Sequence, residues 1–137
     1  MNRIGILTIF VIFSPAALAN IEFAMVSSCD PSGFHEKWGN QCIAAQPELK
    51  IRMTDAFVSW KRRNEAKAVK VKEACFAFPP LQERARFIIE LGEMEEQILL
   101  QLKNQSDMQG ICSRMPTWLE SQDSDIENIV LPTLLPK

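Results

Sequence analysis

From Leu49 to Phe78 the residues Leu49, Met53, Phe57, Trp60, Asn64, Ala68, Val71, Cys75 and Phe78 recur at steps of three and four. That spacing puts them on one face of an α-helix about eight turns long, and only Asn64 interrupts its apolar character. Pro79 and Pro80 end the helix, because proline lacks the amide hydrogen and turns the preceding residue away from helical geometry. A second face follows at once, with Leu81, Ala85, Phe87, Ile88, Leu91, Met94, Ile98, Leu99 and Leu102 at helical spacing. Two long helices joined by so short a connection predict an antiparallel helical hairpin.

The flanking segments add shorter helices. Asp30-Pro31 is a helix start, and Phe34, Trp38 and Cys42 fall four apart behind it. After Gly110, Met115-Pro116 restarts the chain, and Trp118, Leu119, Ile126, Ile129 and Val130 predict a final amphipathic helix before "LPTLLPK", whose prolines forbid regular structure. No stretch alternates as a half-buried strand does. The expected fold is an all-α, disulfide-stapled bundle of about four helices built on the hairpin.

Residues 1–19, "MNRIGILTIFVIFSPAALA", combine a basic start at Arg3, an apolar run from Ile4 to Phe13, and Ala17 and Ala19 as small residues. This is the pattern of a secretory signal peptide, with cleavage expected after Ala19. The run is shorter than the roughly 20 apolar residues that span a bilayer. Asn20 follows the cut, where a lipoprotein would carry cysteine. The expected mature protein is a single helical domain, 20–137, with an irregular C-terminal tail, in the periplasm or the medium, with no transmembrane segment.

In an oxidising compartment Cys29, Cys42, Cys75 and Cys112 form a disulfide framework. No pair has the C-x-x-C spacing of a redox site or a zinc ribbon. A helix from Pro47 carries Cys75 roughly 40 Å from its start, beyond the reach of Cys42, whereas Cys112 should return to the Cys42 end. Cys42 with Cys112 and Cys29 with Cys75 is the favoured pairing. Cys29 with Cys42 and Cys75 with Cys112 stays open if the first helix does not form or the tail folds back.

Charge is unevenly spread. The chain holds 15 Lys and Arg against 17 Asp and Glu, but residues 50–72 carry eight basic side chains against Asp55 and Glu65 alone. Most of these flank the apolar face, where bundle helices exchange charges and long stems cover the core edge. A nucleic-acid role is rejected, since the aromatics of this helix lie on its core face and the whole chain is slightly acidic. Lys61, Arg62, Lys70 and Lys72 are the candidate binding residues, for a protein or an anionic envelope polymer.

If the hairpin turns at Pro79, Glu95 lies opposite Arg63, close to Asn64. Because Glu95 falls inside its own helix's apolar face, Arg63, Asn64 and Glu95 are expected to form a polar layer across the core that fixes register. The chemical alternative makes Glu95 a general acid with a raised pKa, cleaving a cell-wall polymer. Such cleavage usually needs a second carboxyl group, and none is nominated. His35, the sole histidine, sits beside Glu36 and is expected to be exposed. Asp123, Asp125 and Glu127 lack the glycine and distal glutamate of a calcium loop and read as a solvated acidic face. Trp38, Trp60 and Trp118 read as core anchors, with Trp118 a contact residue if exposed.

No metal site, cofactor or catalytic residue is assigned. The sequence thus points to an exported, non-catalytic binding protein, of inhibitor or immunity type, acting through a charged helical surface. A wall-polymer hydrolase using Glu95, or a structural or assembly component of the envelope, is the alternative.

Overall fold

The computed structural model describes residues 25–130. The expected leader, its cleavage point after Ala19 and the tail 131–137 lie outside the described residues. Helical backbone over 25–29 leads into α1 (Pro31–Ala45); α2 (Lys50–Ala77), α3 (Arg84–Lys103), α4 (Met108–Glu120) and the one-turn α5 (Ile126–Ile129) follow. Short 3-10 turns at Pro47–Leu49, Leu81–Glu83 and Gln122–Ser124 make the connections. The described residues form an all-α bundle without a strand, and none of their helices is long and apolar enough to cross a membrane.

Local chemistry sets the helix ends. Pro31 opens α1, and the Asp30 carboxylate accepts a hydrogen bond from the Gly33 amide at 3.3 Å, satisfying one of the first-turn donors. A Cβ on Gly33 would stand 2.3 Å from the Asp30 carboxylate, so glycine lets the capping group lie over the turn. Pro79 and Pro80 stop α2 after Ala77, as the sequence requires.

The disulfides are Cys29–Cys75 and Cys42–Cys112. The second joins the end of α1 to α4 inside a core of Met53, Ala56, Trp60, Val71, Met115, Leu119 and Ile126. The first ties the chain just before α1 to the end of α2, within a second core of Val26, Phe34, Leu91 and Ile98. Trp38 touches both cores, and α1 is therefore the shared wall of the molecule.

This placement of α1 changes the expected packing of the two long helices. The register that was to set Glu95 against Arg63 does not form. Instead α3 lies against α1: Lys37 Nζ stands 2.7 Å from Glu95 Oε1, and Gln41 Nε2 donates to the Leu99 carbonyl at 2.9 Å. Near the connection Phe76 of α2 meets Phe87 of α3 edge to face, with centroids 6.4 Å apart. The cause lies in the disulfides, which hold α1 against α2 and α4 and leave α3 to cover its other side.

Two further expectations fail locally. Leu81, Ala85 and Ile88 are exposed rather than core residues, because α1 reaches only the part of α3 around Leu91, Glu95 and Ile98. The last amphipathic helix does not begin behind Pro116 either. α4 starts at Met108 and runs through Gly110 and Pro116, although an interior proline costs about 3 kcal/mol. Cys112, Met115, Pro116 and Leu119 are all buried, and this packing together with the Cys42 disulfide offsets the lost hydrogen bond.

Candidate functional site

Each basic side chain of α2 meets a different fate. On one flank Arg63 donates from Nε to Asp125 Oδ1 at 3.1 Å and from Nη2 to the Leu119 carbonyl at 2.7 Å. Lys67 pairs with Glu127, and Arg52 Nη2 donates to Thr117 Oγ1 at 2.5 Å. On the other flank Lys72 stands 3.5 Å from Asp30 and lies over the Phe76 ring. Lys61 covers the Phe57 ring at 5.4 Å from its centroid, a modest attraction at an exposed site. Arg62 and Lys70 are exposed and pair with no carboxylate among the described residues. Of the four candidate binding residues, Lys61, Arg62 and Lys70 face water without an acidic partner among the described residues, and Lys72 is drawn to Asp30.

Between the free cations stand apolar side chains that periodicity alone did not single out. Ile51 is 77% exposed, and Val58 and Val69 are each 48% exposed. Together with Arg62 they fall at positions 51, 58, 62 and 69, a single ridge down the outside of α2. Asp55, Glu65 and Glu73 border it. β-Branched residues lower helix propensity, and a face that met only water would gain by replacing them.

The expected polar layer splits in two. Asn64, 1% exposed, donates to Asp125 Oδ1 at 2.9 Å and to the Trp60 carbonyl at 3.0 Å, and accepts from the Ile126 amide at 3.0 Å. Asn64 and Arg63 thus lock the segment 121–127 onto α2, together with the indole N–H of Trp60, which donates to the Ser124 carbonyl at 2.8 Å. Burial alone would push the Asp125 carboxyl up, but hydrogen bonds from Asn64 and Arg63 and the nearby cations hold it below its ordinary value. The hydrogen bond from Lys67 likewise holds Glu127 low. Asp125, partly buried, is therefore the anchor of this latch and departs from the expected solvated acidic face, whereas Asp123 and Glu127 are exposed as expected, Glu127 paired with Lys67.

Glu95 is 5% exposed and faces Lys37 instead of Arg63. Its hydrogen bond raises the Lys37 ammonium above its ordinary value, against some desolvation. The shallow hollow on α3 is lined by Glu90, Glu93 and Glu96, not by Glu95.

His35 is 2% exposed, a correction to its expected exposure. The buried face of α1 is broad because α2 and α4 pack on one side and α3 on another. His35 turns toward the first pair, with its ring edge to face against Trp60 at 4.8 Å and Trp118 at 5.2 Å, and neither ring nitrogen has a hydrogen-bond partner. Burial pushes its pKa down to about 4. The unfolded chain therefore binds more protons between pH 4 and 6.5. Stability from keeping His35 neutral is complete above about 6.5 and is lost as pH falls toward 4. On this residue alone the protein should be about 2 kcal/mol less stable at pH 5 than at pH 7. Urea midpoints at the two pH values should show that loss, and His35→Met should abolish most of it. The Asp125 and Glu127 contributions are lost only at lower pH, below the ordinary carboxylate range.

A groove of about 620 Å³ runs between α1 and α4. Trp38 and Trp118, partly buried with centroids 6.4 Å apart, line it together with Met115 and Ile111. Arg52, Arg114 and Asp123 carry its charge. The helical spacing of Ile111, Arg114, Met115 and Trp118 is the sequence signal for this wall of the groove. The other wall comes from Trp38, brought there only by the fold. Compared with family models, curated proteins and solved structures, the chain matches none.

Proposed function

We propose that this is an exported, non-catalytic binding protein whose contact surface is the outer ridge of α2, with residues 1–19 removed as a signal peptide after Ala19. The observation that carries the reading is the mixture on that ridge: Ile51, Val58 and Val69 exposed beside Lys61, Arg62 and Lys70, with these three cations lacking acidic partners among the described residues. Recognition surfaces combine apolar contact with arginine in this way, while unpaired lysines set orientation and encounter rate. Two disulfides and the Asn64 latch hold the helix rigid, which reduces the entropy lost on docking. The partner is a protein with an acidic rim around an apolar patch, met in the envelope or outside the cell.

The test is a pull-down from an envelope extract of the producing cell with the oxidised chain 20–137 as bait. A parallel bait carries Lys61→Glu, Arg62→Glu and Lys70→Glu. One discrete protein should be retained by the first bait, released by raised salt, and lost with the second. Equal capture by both baits would remove the ridge from the account.

A further inference from the structure

We infer that the groove between α1 and α4 is a binding site for a small organic anion with an apolar body, such as an aryl or acyl carboxylate or sulfonate. It is separate from the α2 ridge and does not depend on it. Its volume of about 620 Å³ lies within the range of roughly 300–1,000 Å³ usual for small-ligand sites. Trp38 and Trp118 present two indoles along it, a surface that gains most by excluding water from a flat ring or an alkyl chain.

The charges select the ligand's sign. Arg52 donates to the neutral hydroxyl of Thr117 and pairs with no carboxylate among the described residues. Arg114 has one partner, Asp107, at 3.2 Å, and both side chains are well exposed; pairs of that kind contribute about 0–1 kcal/mol and exchange readily. Arg52 stands at Thr117, while Arg114 reaches back along α4 to Asp107; because that exposed pair exchanges readily, the Arg114 guanidinium is free to turn to the groove it lines and join Arg52 on a carboxylate or sulfonate. Asp123, in the turn that follows α4, also lines the groove and disfavours an anion placed beside it. Head group at Arg52 and Arg114, body over the indoles, is the resulting orientation.

Tryptophan emission reports the event directly, since the chain has three tryptophans and no tyrosine. Titration with 1-anilinonaphthalene-8-sulfonate should saturate at one molecule per chain and quench the indoles by energy transfer. The neutral analogue N-phenyl-1-naphthylamine should bind about ten-fold more weakly, the worth of one charge-assisted hydrogen bond. Arg52→Gln with Arg114→Gln should weaken the sulfonate about ten-fold and leave the neutral probe unchanged. Arg114→Gln alone, which removes no bond within the groove, should weaken it in part. Ile89→Gln, on the exposed apolar side of α3, should have no effect. The proposal is overturned if the arginine variants bind the sulfonate as the parent does, if the neutral probe binds equally well, or if Ile89→Gln abolishes binding. Association with phosphatidylglycerol vesicles without binding of the monomeric anion would overturn it as well, in favour of a membrane surface.

Discussion

Replacing Cys42 and Cys112 together by alanine is expected to destabilise the protein by about 4 kcal/mol, the loop-entropy value for a cross-link of this span. The bond closes 70 residues of chain and lies fully buried in the core that holds Trp60, Met115 and Leu119. Its loss should also free α4, whose interior Pro116 leaves that helix with little intrinsic stability. Urea unfolding followed by circular dichroism would read the change. A loss below about 1 kcal/mol would mean that packing alone, and not the covalent tie, positions α4.

Asn64→Ala should cost about 3 kcal/mol, because one side chain serves three groups at a buried position. Its removal leaves the Ile126 amide without an acceptor and takes one donor from Asp125. Asn64→Asp separates the two roles. The new carboxylate still accepts from Ile126 but stands against Asp125, so two like charges meet in a partly buried site. Relative to the parent at the same pH, that variant should be most destabilised at pH 7 and recover as acid protonates the pair. Equal destabilisation at both pH values would contradict the contact between positions 64 and 125.

Much of the fold was legible because helix faces and proline stops are local signals. Of the stripe from Leu49 to Phe78, Met53, Trp60, Asn64, Ala68, Val71 and Cys75 are buried, Leu49 and Phe57 are partly buried, and Phe78, at the proline stop beyond the reach of the other helices, is exposed; the reach argument from helix length found both disulfides. Asn64 stood out as the one polar residue in that stripe, yet its partner could not be read from spacing. The mirrored register assumed that the two long helices pack only on each other, whereas α1 packs on both. For the same reason Glu95 met Lys37, 58 residues away in sequence but adjacent once Cys29 and Cys42 had fixed α1. The Trp38–Trp118 groove joins two elements about eighty positions apart, and no periodicity encodes such a meeting. Ile51, Val58 and Val69 lie opposite the core stripe of α2 and are exposed, and single apolar residues among charges carry no periodic signal.

The proposed docking of a partner on the outside of α2 can be read by site-specific photo-crosslinking. A benzophenone side chain placed at Val58, on the ridge, and another at Gln97, exposed on α3, would be expressed in the producing cell and irradiated there. One discrete adduct of higher mass is expected from position 58, lost when Lys61, Arg62 and Lys70 are reversed in charge, and none from position 97. An adduct that forms from position 97 but not from position 58 would contradict it.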